Sequence, residues 1–234
     1  KDSRKGAKAR RRKSWIPAFA EMTKRGGSPD LDAPAALPYP LAGGEGGVMQ
    51  APMTAAEAVQ LELQLAGRAS LLQFGCGNST LVAARQAQTI VCVDGNAGWL
   101  AEVGANLARA AIDFTPVHAD IGPIGDRGYP ADRGRMQDWP RYHVQVWRQL
   151  SASPDAVLID GRFRVACLLQ AIVHGKPDSL LLFHGFTDRP DYQVVLRHAD
   201  MLARVDTLAV LRAKRQVDGT AVLHDLFDHF LVPD

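Results

Sequence analysis

Five polar residues stand at the ends of short apolar runs: Gln73, Asp94, Asp120, Asp160 and His184. Ala156 to Ile159 and Ser179 to Phe183 read as strands, the second buried on both faces by its apolar run. In a parallel sheet the carboxyl ends of such strands share one rim, and ligands bind there. The first two of these residues flank Gly75-Cys76-Gly77-Asn78-Ser79-Thr80, a tight turn that follows a strand and opens a helix. Ser79 and Thr80 are of the types that cap exposed helix N–H groups. Glycines let the backbone approach a ligand closely. Asp94 ends the next β-branched run, Thr89 to Val93, and lies 19 positions past Gly75. Strand, glycine turn, helix, strand and acid, in that order, suit an adenosine-type cofactor, with the acid accepting from ribose hydroxyls.

Two cofactor classes use this order of parts. A dinucleotide site has G-x-G-x-x-G and sets the pyrophosphate on the helix N-terminus. Here Thr80 stands in place of the third glycine, which argues against NAD. The stretch resembles motif I of the class I, Rossmann-like S-adenosylmethionine-dependent methyltransferases, usually written acid-x-G-x-G-x-G or -S. Gly75, Gly77 and Ser79 match, and Gln73 replaces the usual acid. A neutral amide still accepts a hydrogen bond but loses the charge attraction. FGCGNST, VCVD, ADIGPIGDRGYP, VLIDGRFRVAC and LLFHGF, with Arg189 and Tyr192, extend the resemblance over about residues 53–213, to an uncharacterised bacterial branch of that class.

The resemblance implies S-adenosyl-L-methionine as cofactor. Gln73, Gly75, Cys76, Gly77, Asn78, Ser79, Asp94, Asp120 and Asp160 would bind it, with Asp120 near the adenine amino group. It also implies that the end of the fourth strand, Asp160 onward, faces the transferable methyl and the acceptor. Methyl transfer from a sulfonium is chiefly a matter of alignment. A hydroxyl or amine acceptor also needs its proton removed; His184 is the candidate base, and Asp160 either orients it or acts itself. The branch would carry His-Asp at 184–185, and Gly185 replaces that acid. Asp160 with His184 or Asp188 does not form a diagnostic metal set, and no metal is assigned. Two other readings stay open: a cofactor-binding Rossmann-like protein without catalysis, and an NAD(P)-linked oxidoreductase.

The elements that must position these residues alternate along the chain. Thr54 and Glu57 form a T-x-x-E capping box for a helix over 53–67, with Ala55, Val59 and Leu63 expected in the core. Asn96 caps a helix to Ala110, Phe114 to His118 is a third strand, and Val165 to His174 is a helix. Pro190 to Met201 is helical in pattern, Leu208 to Arg212 is a strand, and 222–230 has helical spacing, although a closing strand is an alternative there. This predicts an α/β, mostly parallel Rossmann-like sheet of about six or seven strands, helices on both faces, in a single domain over 48–234. The irregular stretch Ile121 to Tyr142 follows strand three, and its Tyr129, Trp139 and Tyr142 are candidates for a lid or acceptor pocket.

Composition limits the partners. Apolar residues are 47% and charged residues 22% of the chain, ordinary for a globular protein. No apolar run reaches the roughly 18 to 20 residues that span a membrane. Ten of 27 basic residues fall within 1–25, which leaves 17 basic against 23 acidic residues in the remainder, a formal −6. A folded part of that charge lacks the footprint of a nucleic-acid binder, and a small-molecule acceptor is expected. Residues 1–47, basic and then Pro/Gly-rich, read as a disordered tail. Within it SWIPAFAEMT resembles peptides translated from bacterial genomic repeats, which would put the natural start further on. Cys76, Cys92 and Cys167 lack C-x-x-C spacing and fit a reducing, cytoplasmic setting.

Overall fold

A computed structural model of the chain describes residues 53–234. The expected tail, residues 1–47, lies outside them. The described residues form a seven-stranded sheet in the order β3-β2-β1-β4-β5-β7-β6. Its strands are β1 (Ser70–Phe74), β2 (Thr89–Asp94), β3 (Asp113–His118), β4 (Ala156–Ile159), β5 (Leu180–Phe183), β6 (Ala199–Val205) and β7 (Leu208–Ala213). The first five run parallel, whereas β7 is antiparallel to both β5 and β6.

Among the described residues six α-helices flank the sheet: α1 (Ala55–Leu65), α2 (Asn78–Ala83), α3 (Ala97–Arg109), α4 (Arg141–Val144), α5 (Arg164–His174) and α6 (Gly219–His229). Successive strand residues point to opposite faces. Leu71, Ile90, Leu158 and Leu182 therefore pack with Leu61, Leu81 and Val103 on one side. Leu72, Val93, Val157 and Phe183 pack with Tyr142, Leu168 and Leu226 on the other.

Three local expectations are corrected. On α1, Val59 is 57% and Leu63 50% exposed, and the buried face is Glu57, Gln60, Leu61 and Leu65. Pattern counting assigns a glutamate to solvent, but Glu57 is buried because its carboxylate is fully engaged. At α2 the N-cap position is Gly77. Ser79 and Thr80 lie inside the first turn, where the Thr80 hydroxyl accepts from the Gly77 N–H. The expected helix from Pro190 to Met201 stops at Arg197 as 3-10 turns, and Ala199–Val205 is strand β6. A two-residue turn, Asp206-Thr207, closes the β6–β7 hairpin, with Asp206 at φ 48°. Aspartate tolerates that left-handed geometry better than most residues. The last segment is helical, as α6.

The insertion after β3 is built of 3-10 turns over Asp126–Gly128 and Arg133–Asp138, followed by α4. Trp139 and Tyr142 do not form a lid; both are buried in the core against Phe163. Of the three aromatics, Tyr129 is the one whose ring lies over a strand-end side chain, Arg162.

Candidate functional site

The parallel ladder continues past the strand ends and brings the rim together. Gly75 N–H donates to the Val93 carbonyl, Asp160 N–H to the Phe74 carbonyl and His184 N–H to the Ile159 carbonyl. The chain turns sharply at Gly75, which has φ +95°, and a Cβ there would lie 2.5 Å from Gly161 Cα. Two backbone turns, after β1 and after β4, thus touch where only glycine fits.

Gln73 is fully buried beneath this turn. Its Nε2 donates to the Gly75 carbonyl at 2.8 Å and to Ser79 Oγ at 2.9 Å. A carbonyl only accepts, so the amide orientation is fixed by chemistry. Its Oε1 is left buried without a partner. Asp94 is 5% exposed. One of its oxygens accepts from Cys76 N–H and the other from Asn96 N–H, each at 2.7 Å. Burial pushes its carboxyl up to about 6, against the pull of those two N–H groups and of the Arg162 and His118 charges. Each oxygen retains a second lone pair for a further donor. Asn78 opens α2, and Cys76 is buried beside Trp99, whose carbonyl its thiol faces at 3.9 Å.

His184 lies between two carboxylates. Nδ1 is 2.6 Å from Asp160 Oδ1 and Nε2 is 3.2 Å from Glu57 Oε2. Carboxylates only accept, so both ring nitrogens carry protons and the ring is an imidazolium. Burial opposes that charge, but Asp160 and then Glu57 outweigh it and raise the pKa above 6.5. The carboxyls of Glu57 and Asp160 are in turn lowered despite burial: Thr207 and Thr54 donate to the first, and His184, Arg164 and the Ser79 hydroxyl favour the second. Glu57 Oε1 also accepts from Thr207 N–H at 2.8 Å and from its hydroxyl at 2.6 Å. One side chain therefore caps α1, holds His184 and ties down the β6–β7 turn.

The structure thus brings Gln73, the 75–79 turn, Asp94, Asp160 and His184 to one rim. Asp120 stands just past the same ladder, where Ala119 N–H donates to the Asp94 carbonyl, and its side chain is exposed. It caps Gly122 N–H at 3.2 Å and pairs with Arg135 at 3.2 Å. At position 185 φ is +71°, and a Cβ would meet the Arg164 guanidinium and lie 2.7 Å from an Asp188 carboxylate oxygen. Glycine is what this backbone requires. Glu57, Arg162 and Arg164 belong to the rim although their chemistry was not legible. Glu57 was visible only as a capping residue, and the two arginines only as part of the DGRFR motif. Among the described residues no three His, Cys, Asp or Glu side chains are grouped to hold a metal ion. Among them, too, no helix is long and apolar enough to cross a membrane.

No protein-family model and no curated protein matches the chain. Solved structures do. A methyltransferase-like protein from Silicibacter pomeroyi is 28% identical, with a TM-score of 0.71, over 79% of this chain and 98% of its own. An N-methyltransferase from Bradyrhizobium japonicum is 11% identical, with a TM-score of 0.48, over 68% of this chain and 93% of its own. An O-methyltransferase from Bacillus cereus, solved with S-adenosylhomocysteine, is 14% identical, with a TM-score of 0.47, over 70% and 83%. The sheet order, the glycine turn with its acid and the near-complete match to the first of these structures give the chain the α/β, Rossmann-like fold of the class I methyltransferases.

Proposed function

We propose that the chain is an S-adenosylmethionine-dependent methyltransferase acting on a small-molecule acceptor in a reducing, cytoplasmic setting. The observation that carries this reading is the orphaned Gln73 Oε1, buried under the glycine turn. A buried acceptor without a donor is costly, and a ligand ammonium, such as that of the methionine end, would satisfy it. Asp94 fits ribose hydroxyls with its remaining lone pairs, and the 75–79 backbone fits close approach. The cofactor supplies a methyl already activated on a cationic sulfonium.

The residues at the ends of β4 and β5 then align the acceptor. His184 keeps Asp160 ionised, and Asp160 orients an acceptor hydroxyl or amine by accepting its hydrogen bond. With both nitrogens committed to carboxylates, His184 has no lone pair to take a proton in this arrangement. That same observation favours a second reading, a cofactor-binding protein without catalysis. An NAD(P) reading is weaker. The buried Thr80 fills the place of the third glycine, and its hydroxyl occupies the Gly77 N–H that a pyrophosphate would use.

Calorimetry with S-adenosylmethionine, S-adenosylhomocysteine and NAD tests the cofactor. Asp94→Ala is expected to weaken S-adenosylhomocysteine about ten- to a hundredfold, the loss of roughly 1.5–3 kcal/mol of charge-assisted hydrogen bonding. Unchanged affinity in a folded variant removes Asp94 from the site. Turnover against an acceptor panel separates the enzyme from the binding protein.

A further inference from the structure

Three guanidinium groups stand beside the rim, those of Arg162, Arg164 and Arg189. Arg162 and Arg164 follow β4 and are 5% and 7% exposed. Arg189, after β5, donates from Nη2 to the Tyr129 hydroxyl at 2.7 Å. Arg164 is held from below: its Nε donates to the Gly161 carbonyl and its Nη1 to the His184 carbonyl. Arg162 is not matched in this way. Its guanidinium lies 4.3 Å from the centre of the Tyr129 ring, and its Nη1 donates to the Asp234 main-chain oxygen at 2.9 Å. Its Nε is buried with no partner. Burial pulls its pKa down, and Arg164 adds like-charge repulsion.

A buried guanidinium whose Nε has no partner is a costly arrangement for a fold to keep. Asp234 also lies at this cluster, and a carboxylate oxygen of it accepts from the Arg164 main-chain N–H at 2.8 Å. Tyr129, on the insertion after β3, joins the two arginines, its ring against Arg162 and its hydroxyl accepting from Arg189. Aromatic walls with two guanidinium groups are the means by which proteins hold a planar carboxylate.

We propose that Arg162 and Arg189, walled by Tyr129, form a binding site for a carboxylate group on the acceptor, so that the acceptor is a small organic acid. This rests on the methyltransferase reading for the word acceptor, but the anion site itself does not. It makes Arg162 and Arg189 specificity-determining residues, whereas Asp160 and His184 serve alignment.

The test uses the full chain, benzoate as anionic probe, neutral benzamide as its isostere, and ligand-observed NMR in chloride-free buffer, with and without saturating S-adenosylhomocysteine. Benzoate is expected to bind in both conditions, and benzamide is not. Arg162→Gln and, separately, Arg189→Gln should weaken benzoate by about tenfold or more, the loss of one charge-assisted contact. Arg189 is exposed, so its variant keeps the test decisive should Arg162→Gln fail to fold. Equal binding of benzoate and benzamide, or unchanged benzoate affinity in folded Arg189→Gln, overturns the proposal. A different source of the carboxylate also overturns it. In that case S-adenosylhomocysteine displaces benzoate, and Arg162→Gln weakens S-adenosylhomocysteine but not methylthioadenosine, which lacks the amino-acid end. Failure of S-adenosylhomocysteine to bind while benzoate binds refutes the methyltransferase reading and leaves the anion site standing.

Discussion

Replacing His184 by alanine removes the cation that two buried carboxylates share. Its side chain is 9% exposed, and those of Glu57 and Asp160 are 2% and 12% exposed, so solvent does little to relieve the loss. Each carboxylate loses one charge-assisted hydrogen bond, roughly 1.5–3 kcal/mol apiece. Glu57 keeps its donors from Thr54 and Thr207, which reduces its share. The expected loss is therefore about 3–5 kcal/mol, the usual cost of breaking a buried ion pair from one side. For a domain of this size that is roughly 10 °C in melting temperature. Urea denaturation at pH 6, followed by far-ultraviolet circular dichroism, measures it. The pH dependence gives a second check with a defined sign. The pKa of His184 is raised, so its contribution is fully present below its unfolded value near 6.5 and is lost as pH rises through the folded value. The pKa values of Glu57 and Asp160 are lowered, so their contribution is present above the unfolded values of 4.5 and 3.8 and is lost as pH falls through the folded ones. Parent and variant should differ most between these limits, and the alkaline fall should be absent from the variant. A loss under about 1 kcal/mol at pH 6, no more than an ordinary surface change, would refute the imidazolium arrangement.

Gly161→Ala should be among the most damaging small substitutions in the chain. Its Cβ would press on the Tyr142 hydroxyl and lie 2.7 Å from Gly75 Cα, so loss of soluble folded protein, or of several kcal/mol in a denaturation series, is expected, and near-parental stability would show that the two turns do not touch. Asp94 titrates near pH 6, and ribose hydroxyls donate to its ionised form. S-adenosylhomocysteine affinity should therefore fall as pH drops below about 6, approaching tenfold per unit, and a flat calorimetric profile from pH 7 to 5 would place the ribose elsewhere.

What the sequence showed and what it hid divide by the reach of the interactions. The glycine turn, its acid and the strands on either side lie within 25 residues, and each step rests on local backbone rules. Gln73 meets Ser79 only six positions on, and Asp94 meets Cys76 across 18. Glu57 is different. Its capping role is local and was legible, but its contacts to His184 and Thr207 span 127 and 150 residues. Nothing in the periodicity of α1 marks a glutamate as buried, and so the helix was turned to the wrong face. Strand β6 was missed because Pro190 and the apolar residues after it extend a helical pattern into Met201. Only the left-handed Asp206, set between two alternating runs, marks the hairpin. The Arg162 contact to Asp234 spans 72 residues. Such long contacts join α1, the β6–β7 turn and the last described residue to the ends of β4 and β5. The rim is thus held by elements from both ends of the described chain. A change in Glu57 should reach His184 and Asp160 without touching the 75–79 turn, which has its own local supports.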